Sequence, residues 1–172
     1  LHYVRKEYDE AEQMYKKTLE LDPGNAGNTG NYANFLKDIR KDYEEAERMH
    51  KRALELDPTN AIHTGNYAIF LCDIRKDYDE AERMYKKALE RDPNSANNSG
   101  NYAKLLLVLR RDQEARILIA KTDVLLDSRS PVDANLEITL YRLLCFASDH
   151  FDENLAEAKR LLLHHKLRTP TW

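Results

Sequence analysis

Apolar and polar positions in this chain follow two periods at once. The short period is helical, with apolar residues three and four apart. The long one is 35 residues: GNYANFLKDIRKDYEEAERMHKRALELDP (Gly30–Pro58) returns as GNYAIFLCDIRKDYDEAERMYKKALERDP (Gly65–Pro93). Tyr32, Phe35, Leu36 and Ile39 make one i, i+3, i+4, i+7 stripe, which predicts a first amphipathic helix. Tyr43, Ala46, His50, Ala53 and Leu54 predict a second, copied as Tyr78, Ala81, Tyr85, Ala88 and Leu89. The second helix should open at Asp42 or Asp77, with Glu45 or Glu80 three residues on. That is a capping box, in which the aspartate accepts an early backbone N–H and the glutamate reaches back. It should stop at Asp-Pro (Asp22-Pro23, Asp57-Pro58, Asp92-Pro93), because proline disfavours helical backbone in the residue before it. An Asn-rich turn near Asn25, Asn60 and Asn94 then opens the next helix. Ala33, Ala46, Ala53, Ala68, Ala81, Ala88 and Ala103 sit where helices must approach. Tyr32, Phe35 and Tyr43 should fill the gaps between pairs.

The units run Lys6–Arg40, Lys41–Arg75 and Lys76–Arg110, and the second and third agree at 21 of 35 positions. KEYDEAEQMYKKTLELDP (Lys6–Pro23) supplies an earlier second half, and GNYAKLLLVLR (Gly100–Arg110) a later first half. Leu1 falls in register with Leu36, Leu71 and Leu106. We therefore expect the chain to begin partway through a repeat's first helix and to be a fragment of a longer array. A period of this length means helix pairs that bury their open faces by stacking. After Arg110 the pattern decays. Residues 111–126 keep Asp112, Ala115 and Ile119 but lose the Asp-Pro stop. Ser128–Pro131 reads as a polar loop. Leu136, Leu140, Leu143, Leu144 and Ala147, then Leu155, Leu162 and His165, suggest two further helices. The expected organisation is a repeat array over 1–126 and a degenerate C-terminal capping helix pair over 127–172.

The order Asn-Tyr-Ala, Asp-Tyr, Glu-Ala, Tyr or His, Ala-Leu, Asp-Pro resembles the tetratricopeptide repeat. The small residue of that repeat's first helix matches Ala33, Ala68 and Ala103. Its small-large-small run matches Ala46, His50 and Ala53, or Ala81, Tyr85 and Ala88, and its closing proline matches Pro23, Pro58 and Pro93. The resemblance covers Leu1 to about Leu126 and implies an all-α fold, a right-handed α-solenoid of antiparallel helix pairs. One departure is visible. The family repeat is normally 34 residues, and here an extra residue lies between Leu36 and Lys41. The first helix should therefore run slightly longer. Lys41 or Lys76 stands where a small residue usually makes the helix-helix turn.

Composition narrows the function. Of 172 residues, 42% are hydrophobic and 33% charged, with five Gly and five Pro, as expected of a mostly helical chain. The net charge of −3 offers no general polycation for nucleic acid or an acidic membrane. No apolar run reaches the roughly 20 residues that span a bilayer. Cys72 and Cys145 form no CxxC or Cys/His cluster and read as buried thiols of a reducing compartment, which implies a cytoplasmic location. His150, His164 and His165 lack the spacing of a metal site. No phosphate loop, nucleophile elbow or HExxH occurs. We expect no enzyme, no cofactor and no metal.

The resemblance implies that partners lie on a concave face lined by first helices, where an asparagine contacts the ligand backbone. Asn31, Asn66 and Asn101 match it, with Asn34, Ile69 and Lys104 one helical step on and Asp38 and Asp73 beyond. An amide donates and accepts, so it can bond an extended peptide whatever its sequence. The same asparagines could instead tie repeats together through inter-helix hydrogen bonds. Specificity would come from His63, Ile69, Asn97, Asn98 and Lys104. For a carboxylate clamp only Lys104 and Lys37 offer cations. Glu44, Glu45, Glu47, Arg48, Lys51, Arg52 and Glu55 read as a solvated convex face, with Glu44/Arg48 and Glu47/Lys51 as i, i+4 pairs. The expected function is a non-catalytic scaffold binding a peptide or protein in the groove. Self-association through the solenoid ends is a further expectation. The alternatives are an RNA-binding helical repeat, and a regulatory or oligomerisation arm of a larger enzyme or signalling protein.

Overall fold

The computed structural model describes residues 2–125, with side chains over 6–119, and every regular element among them is helical. They form α1 (His2–Leu21), α2 (Ala26–Phe35), α3 (Tyr43–Leu56), α4 (Ala61–Phe70), α5 (Tyr78–Arg91), α6 (Ala96–Val108) and α7 (Asp112–Leu125). Two π-helical turns, Leu36–Arg40 and Leu71–Arg75, extend α2 and α4. The fold divides between Pro93 and Asn94 into two compact units. In the first, α2 pairs with α3 and α4 with α5, while α1 packs on α2 and α3 on α4. In the second, α6 pairs with α7. The expected capping pair over 127–172, with Cys145, His150, His164 and His165, lies outside the described residues.

Helix pairing rests on the alanines. Ala33, Ala46, Ala68, Ala81, Ala88 and Ala103 are wholly buried, and Ala53 nearly so. A methyl group lets two backbones approach closely, and the larger residues fill the space left beside them. In the first unit those are aromatic sets between one pair and the next. Tyr15 lies 5.5 Å from Tyr32 and 5.4 Å from Phe35 between ring centres. One repeat on, His50 lies 6.1 Å from Tyr67 and 5.4 Å from Phe70. Such ring contacts each add about 0.5–1.5 kcal/mol beyond the area they bury. Tyr43 and Ile39 depart from the expected core and are exposed. Tyr43 is the first helical residue after its cap. Ile39 lies in the π turn, whose wider winding carries it out of the helical stripe.

The caps form in part as expected. Asp42 Oδ1 accepts the Glu45 backbone N–H at 3.2 Å, and Asp77 Oδ1 accepts that of Glu80 at 3.1 Å. The glutamates do not reach back. The Asp42 and Asp77 N–H groups already donate to Leu36 and Leu71 carbonyls, both at 3.1 Å, so that donor needs no further partner. The Glu45 carboxylate turns instead to Arg48, which donates its Nε at 2.8 Å. Asn25 and Asn60 cap α2 and α4, but Ser95 rather than Asn94 caps α6. Helix α1 runs unbroken through Lys6 and Glu7, so the expected hairpin turn there is absent. Glu7 stands where aspartate caps the later copies, and glutamate is not among the preferred N-cap residues.

The thirty-fifth residue is absorbed by the π turns. Ala46 follows Leu36, and Ala81 follows Leu71, by ten positions, whereas Ala115 follows Leu106 by nine. One extra residue between two packed anchors cannot shift either anchor, so the helix widens for one turn. Lys41 and Lys76 then take left-handed backbone, both at φ 58°. In the third copy no π turn forms. Arg111 N–H bonds Leu106 C=O at 2.8 Å and Arg110 N–H bonds Leu107 C=O at 3.0 Å, with Arg110 at φ 60°. That is the Schellman ending of an ordinary α-helix. The spacing Asp112-x-x-Ala115 against Asp42-x-x-x-Ala46 carries this difference in the sequence.

The π turn also aims an arginine. Arg40 lies over the Phe35 ring and Arg75 over Phe70, each 5.7 Å from the ring centre. Arg40 Nε reaches Glu12 at 2.7 Å, and Arg75 Nε donates to Glu47 at 2.7 Å. Glu12 and Glu47 also hold Lys16 and Lys51, both at 2.7 Å. Thus Glu47 belongs to a link between helix pairs rather than to a purely solvated face, and Glu44 meets Arg75 at 2.9 Å rather than Arg48. Burial pushes the Glu47 carboxyl up, but the bonds from Lys51 and Arg75 leave it below its ordinary pKa. Surface pairs of this kind contribute at most about 1 kcal/mol each.

Left-handed backbone costs a side-chain-bearing residue roughly 1 kcal/mol, and glycine avoids that cost. Lys41→Gly and Lys76→Gly should each raise unfolding stability by about 0.5–1 kcal/mol, while Lys41→Val should lower it. Urea unfolding midpoints check this. A lower midpoint for both glycine variants would contradict it.

Candidate functional site

Each first helix keeps one stripe that no described element covers. On α2 and its π turn it carries Gly27, Asn31, Asn34 and Asp38, with Asn34 half-buried and the others exposed. On α4 and its π turn it carries Ile62, Asn66, Ile69 and Asp73, with Asn66 and Ile69 half-buried and the others exposed. The two helices belong to one unit and touch, so the stripes run side by side. Gly30 makes this approach close: a Cβ there would stand 2.8 Å from His63 Nδ1. In the second unit, α6 carries Asn97, Asn101, Lys104 and Val108 at the same positions. Asn101 is half-buried and the other three are exposed.

The amides distinguish the two readings of the asparagines. Neither Asn31 nor Asn66 makes a side-chain hydrogen bond to any described residue, so neither ties helices together there. Asn101 Nδ2 donates to the Asn97 carbonyl of its own helix at 3.0 Å. Two of the residues expected to supply specificity are withdrawn from the surface. His63 and Asn98 are buried, His63 under Gly30 and Asn98 in the core side of α6. Ile69, Asn97 and Lys104 remain accessible. Lys37 keeps only 13% of its side chain exposed and lies 3.2 Å from Asp38. It is therefore no free cation for a carboxylate clamp.

Behind the stripes lies a histidine that charges with difficulty. His50 occupies the place of Tyr15 and Tyr85, is 1% exposed and leaves Nε2 without a partner among the described residues. Burial, with Lys37 and His63 adding to it, holds its pKa down at about 4; Asp38 and Glu47 oppose this. Burial also lowers His63. Both rings are neutral at pH 7. Among the described residues no three His, Cys, Asp or Glu gather as metal ligands, and no helix is long and apolar enough to cross a membrane.

Helix pairs joined at alanines, with one open stripe per first helix, define a class of helical repeat. The family model described as tetratricopeptide repeat matches residues 74–123. Similar solved structures share the fold. A crystal structure of MamA is 18% identical, with 96% of this chain and 93% of that one covered and a TM-score of 0.66. A second MamA crystal structure is 16% identical over 99% and 91% of the two chains, also at 0.66. PilF of Pseudomonas aeruginosa is 21% identical over 95% and 71%, at 0.72. MamA and PilF are tetratricopeptide helical solenoids, and this chain is of the same all-α architecture. No curated protein matches the sequence.

A base held below its unfolded pKa makes the folded state bind fewer protons than the unfolded state. Stability is then full above about pH 6.5 and falls as pH drops towards the folded value near 4. The loss attributable to His50 should reach about 2–3 kcal/mol near pH 4.5. His50→Tyr, which copies the neighbouring repeats, should remove most of this dependence. Comparing urea midpoints at about pH 7 and pH 4.5 tests it, and equal losses in both proteins would refute it.

Proposed function

We infer that this chain is a non-catalytic interaction scaffold whose open first-helix face binds a polypeptide. Tetratricopeptide repeats in general mediate protein–protein interactions. One observation carries the finer reading. Asn31 and Asn66 recur at equivalent positions of touching helices, on an uncovered face, with their amides unbonded to any described residue. A free amide that has not been desolvated by packing has donors and an acceptor to spend on a backbone peptide group. Asn34 and Ile69 flank them in the first unit. Asn101 and Lys104 occupy the corresponding positions of the second. In this reading the alanines, aromatics and arginine links hold the face rigid, and the variable positions 34, 69 and 104 choose among sequences. The charge balance of the whole chain favours a polypeptide over a nucleic acid.

Binders can be drawn from a randomised peptide library displayed on phage and their affinity measured with the full chain. Replacing Asn31, Asn66 and Asn101 together with alanine should weaken binding about tenfold or more, from the loss of several backbone hydrogen bonds. It should change the melting temperature little. An unchanged affinity with a large drop in stability would show that the amides serve packing instead.

A further inference from the structure

The open face of the first unit is not electrically neutral. Asp38 and Asp73 sit at corresponding positions of adjacent π turns, four residues beyond Asn34 and Ile69. Asp38 keeps 60% of its side chain exposed, and the ion pair it makes is with its chain neighbour Lys37 at 3.2 Å. The position equivalent to Lys37 in the next copy is Cys72, so no cation stands beside Asp73 there. Asp73 is exposed and forms no ion pair with any described residue. Along the same stripes, Ile62 is 67% exposed and Ile69 half-buried, giving apolar contact next to the free amides. No stripe position of the first unit carries a cation: the eight residues are Gly27, Asn31, Asn34, Asp38, Ile62, Asn66, Ile69 and Asp73. The surface therefore offers amides for a backbone, an isoleucine pair for an aliphatic stem, and two solvated carboxylates for positive charge.

We propose that the face formed by α2 and α4 takes an extended peptide segment bearing basic side chains, whose charged ends meet Asp38 and Asp73. The assignment rests on the reading of this face as the binding face and names the chemistry of its partner. Packed helices stand roughly 8–10 Å apart, and an extended chain rises about 3.3 Å per residue. A peptide crossing from one first helix to the next thus presents basic residues to successive aspartates when they are about three positions apart. Long lysine and arginine stems lie along Ile62 and Ile69 while their heads reach water and carboxylate, the mode in which such side chains bury their methylenes.

The test uses the full chain and three synthetic peptides of about 14 residues, long enough to cross the face in extended form. They share one alanine- and glutamine-based sequence with acetylated and amidated ends, and differ at positions three apart, which carry lysine, glutamine or glutamate. Binding is read by fluorescence anisotropy. The lysine peptide should bind tightest and weaken as salt is raised, because the contacts are solvent-exposed. The Asp38→Asn, Asp73→Asn double variant should lose about tenfold for the lysine peptide. It should leave the glutamine peptide unaffected. Glu90→Gln, an exposed carboxylate on α5 away from the stripes, is the control and should change nothing. Two outcomes overturn the assignment: a lysine peptide that binds no better than the glutamine one, or a Glu90→Gln effect equal to that of the aspartate pair. Asn31→Ala with Asn66→Ala separates this from the parent reading. If those changes weaken all three peptides alike while the aspartates do not matter, the face binds peptide but without charge selection. If no peptide binds while library binders do, the charge assignment falls and the parent reading stands.

Discussion

Everything in this fold depends on the distance at which two helices can meet. Alanines with almost no exposed surface, Ala115 among them, hold the paired helices at close range. A single added methylene at such a contact must be accommodated by moving a helix, because a close-packed interior has no space to absorb it. Once the pairs are drawn together, the aromatic residues have only the seams between pairs to occupy. Tyr15 with Tyr32 and Phe35, and His50 with Tyr67 and Phe70, fill two such seams in the same way. The repetition of the sequence is thus a repetition of one packing solution.

The longer repeat shows what a fixed contact does to an extra residue. In the first two hairpins the alanines and Leu36 or Leu71 are held, so the insertion goes into a π turn rather than into a longer, rotated helix. The turn has a use. It brings Arg40 and Arg75 back over Phe35 and Phe70 and onto Glu12 and Glu47 of the preceding helix. In the third copy the equivalent residue, Arg110, is itself the left-handed corner of an ordinary helix ending. The same arginine position therefore serves as a link in one geometry and as a turn in the other.

Packing consumes one side of every first helix and leaves the other free, and that division separates structural from available chemistry. His63 and Asn98 vary between copies, as specificity residues would, yet both are drawn inside. Asn31 and Asn66 do not vary, yet their amides stay unbonded to any described residue. His63 lies close against Gly30, and the burial of His50 in a tyrosine's place follows the seam it fills.

The sequence by itself determined the helix pairs, their limits at aspartate caps and Asp-Pro stops, the buried alanines and the separate helix stripes that hold Asn31, Asn66 and Asn101. These are local or periodic properties: a cap depends on four neighbouring residues, and a stripe on helical spacing. What only the tertiary structure decided depends on which backbone groups were already taken and which side chains met across a seam. Glu45 does not close its capping box because Leu36 has claimed the donor of Asp42. Tyr43 and Ile39 are exposed because a helix start and a widened turn move them off the stripe. Glu47 joins two helix pairs because a π turn one repeat later returns an arginine to it. No reading of spacing within a single helix contains those facts, and the last arises from contact between segments about 30 residues apart.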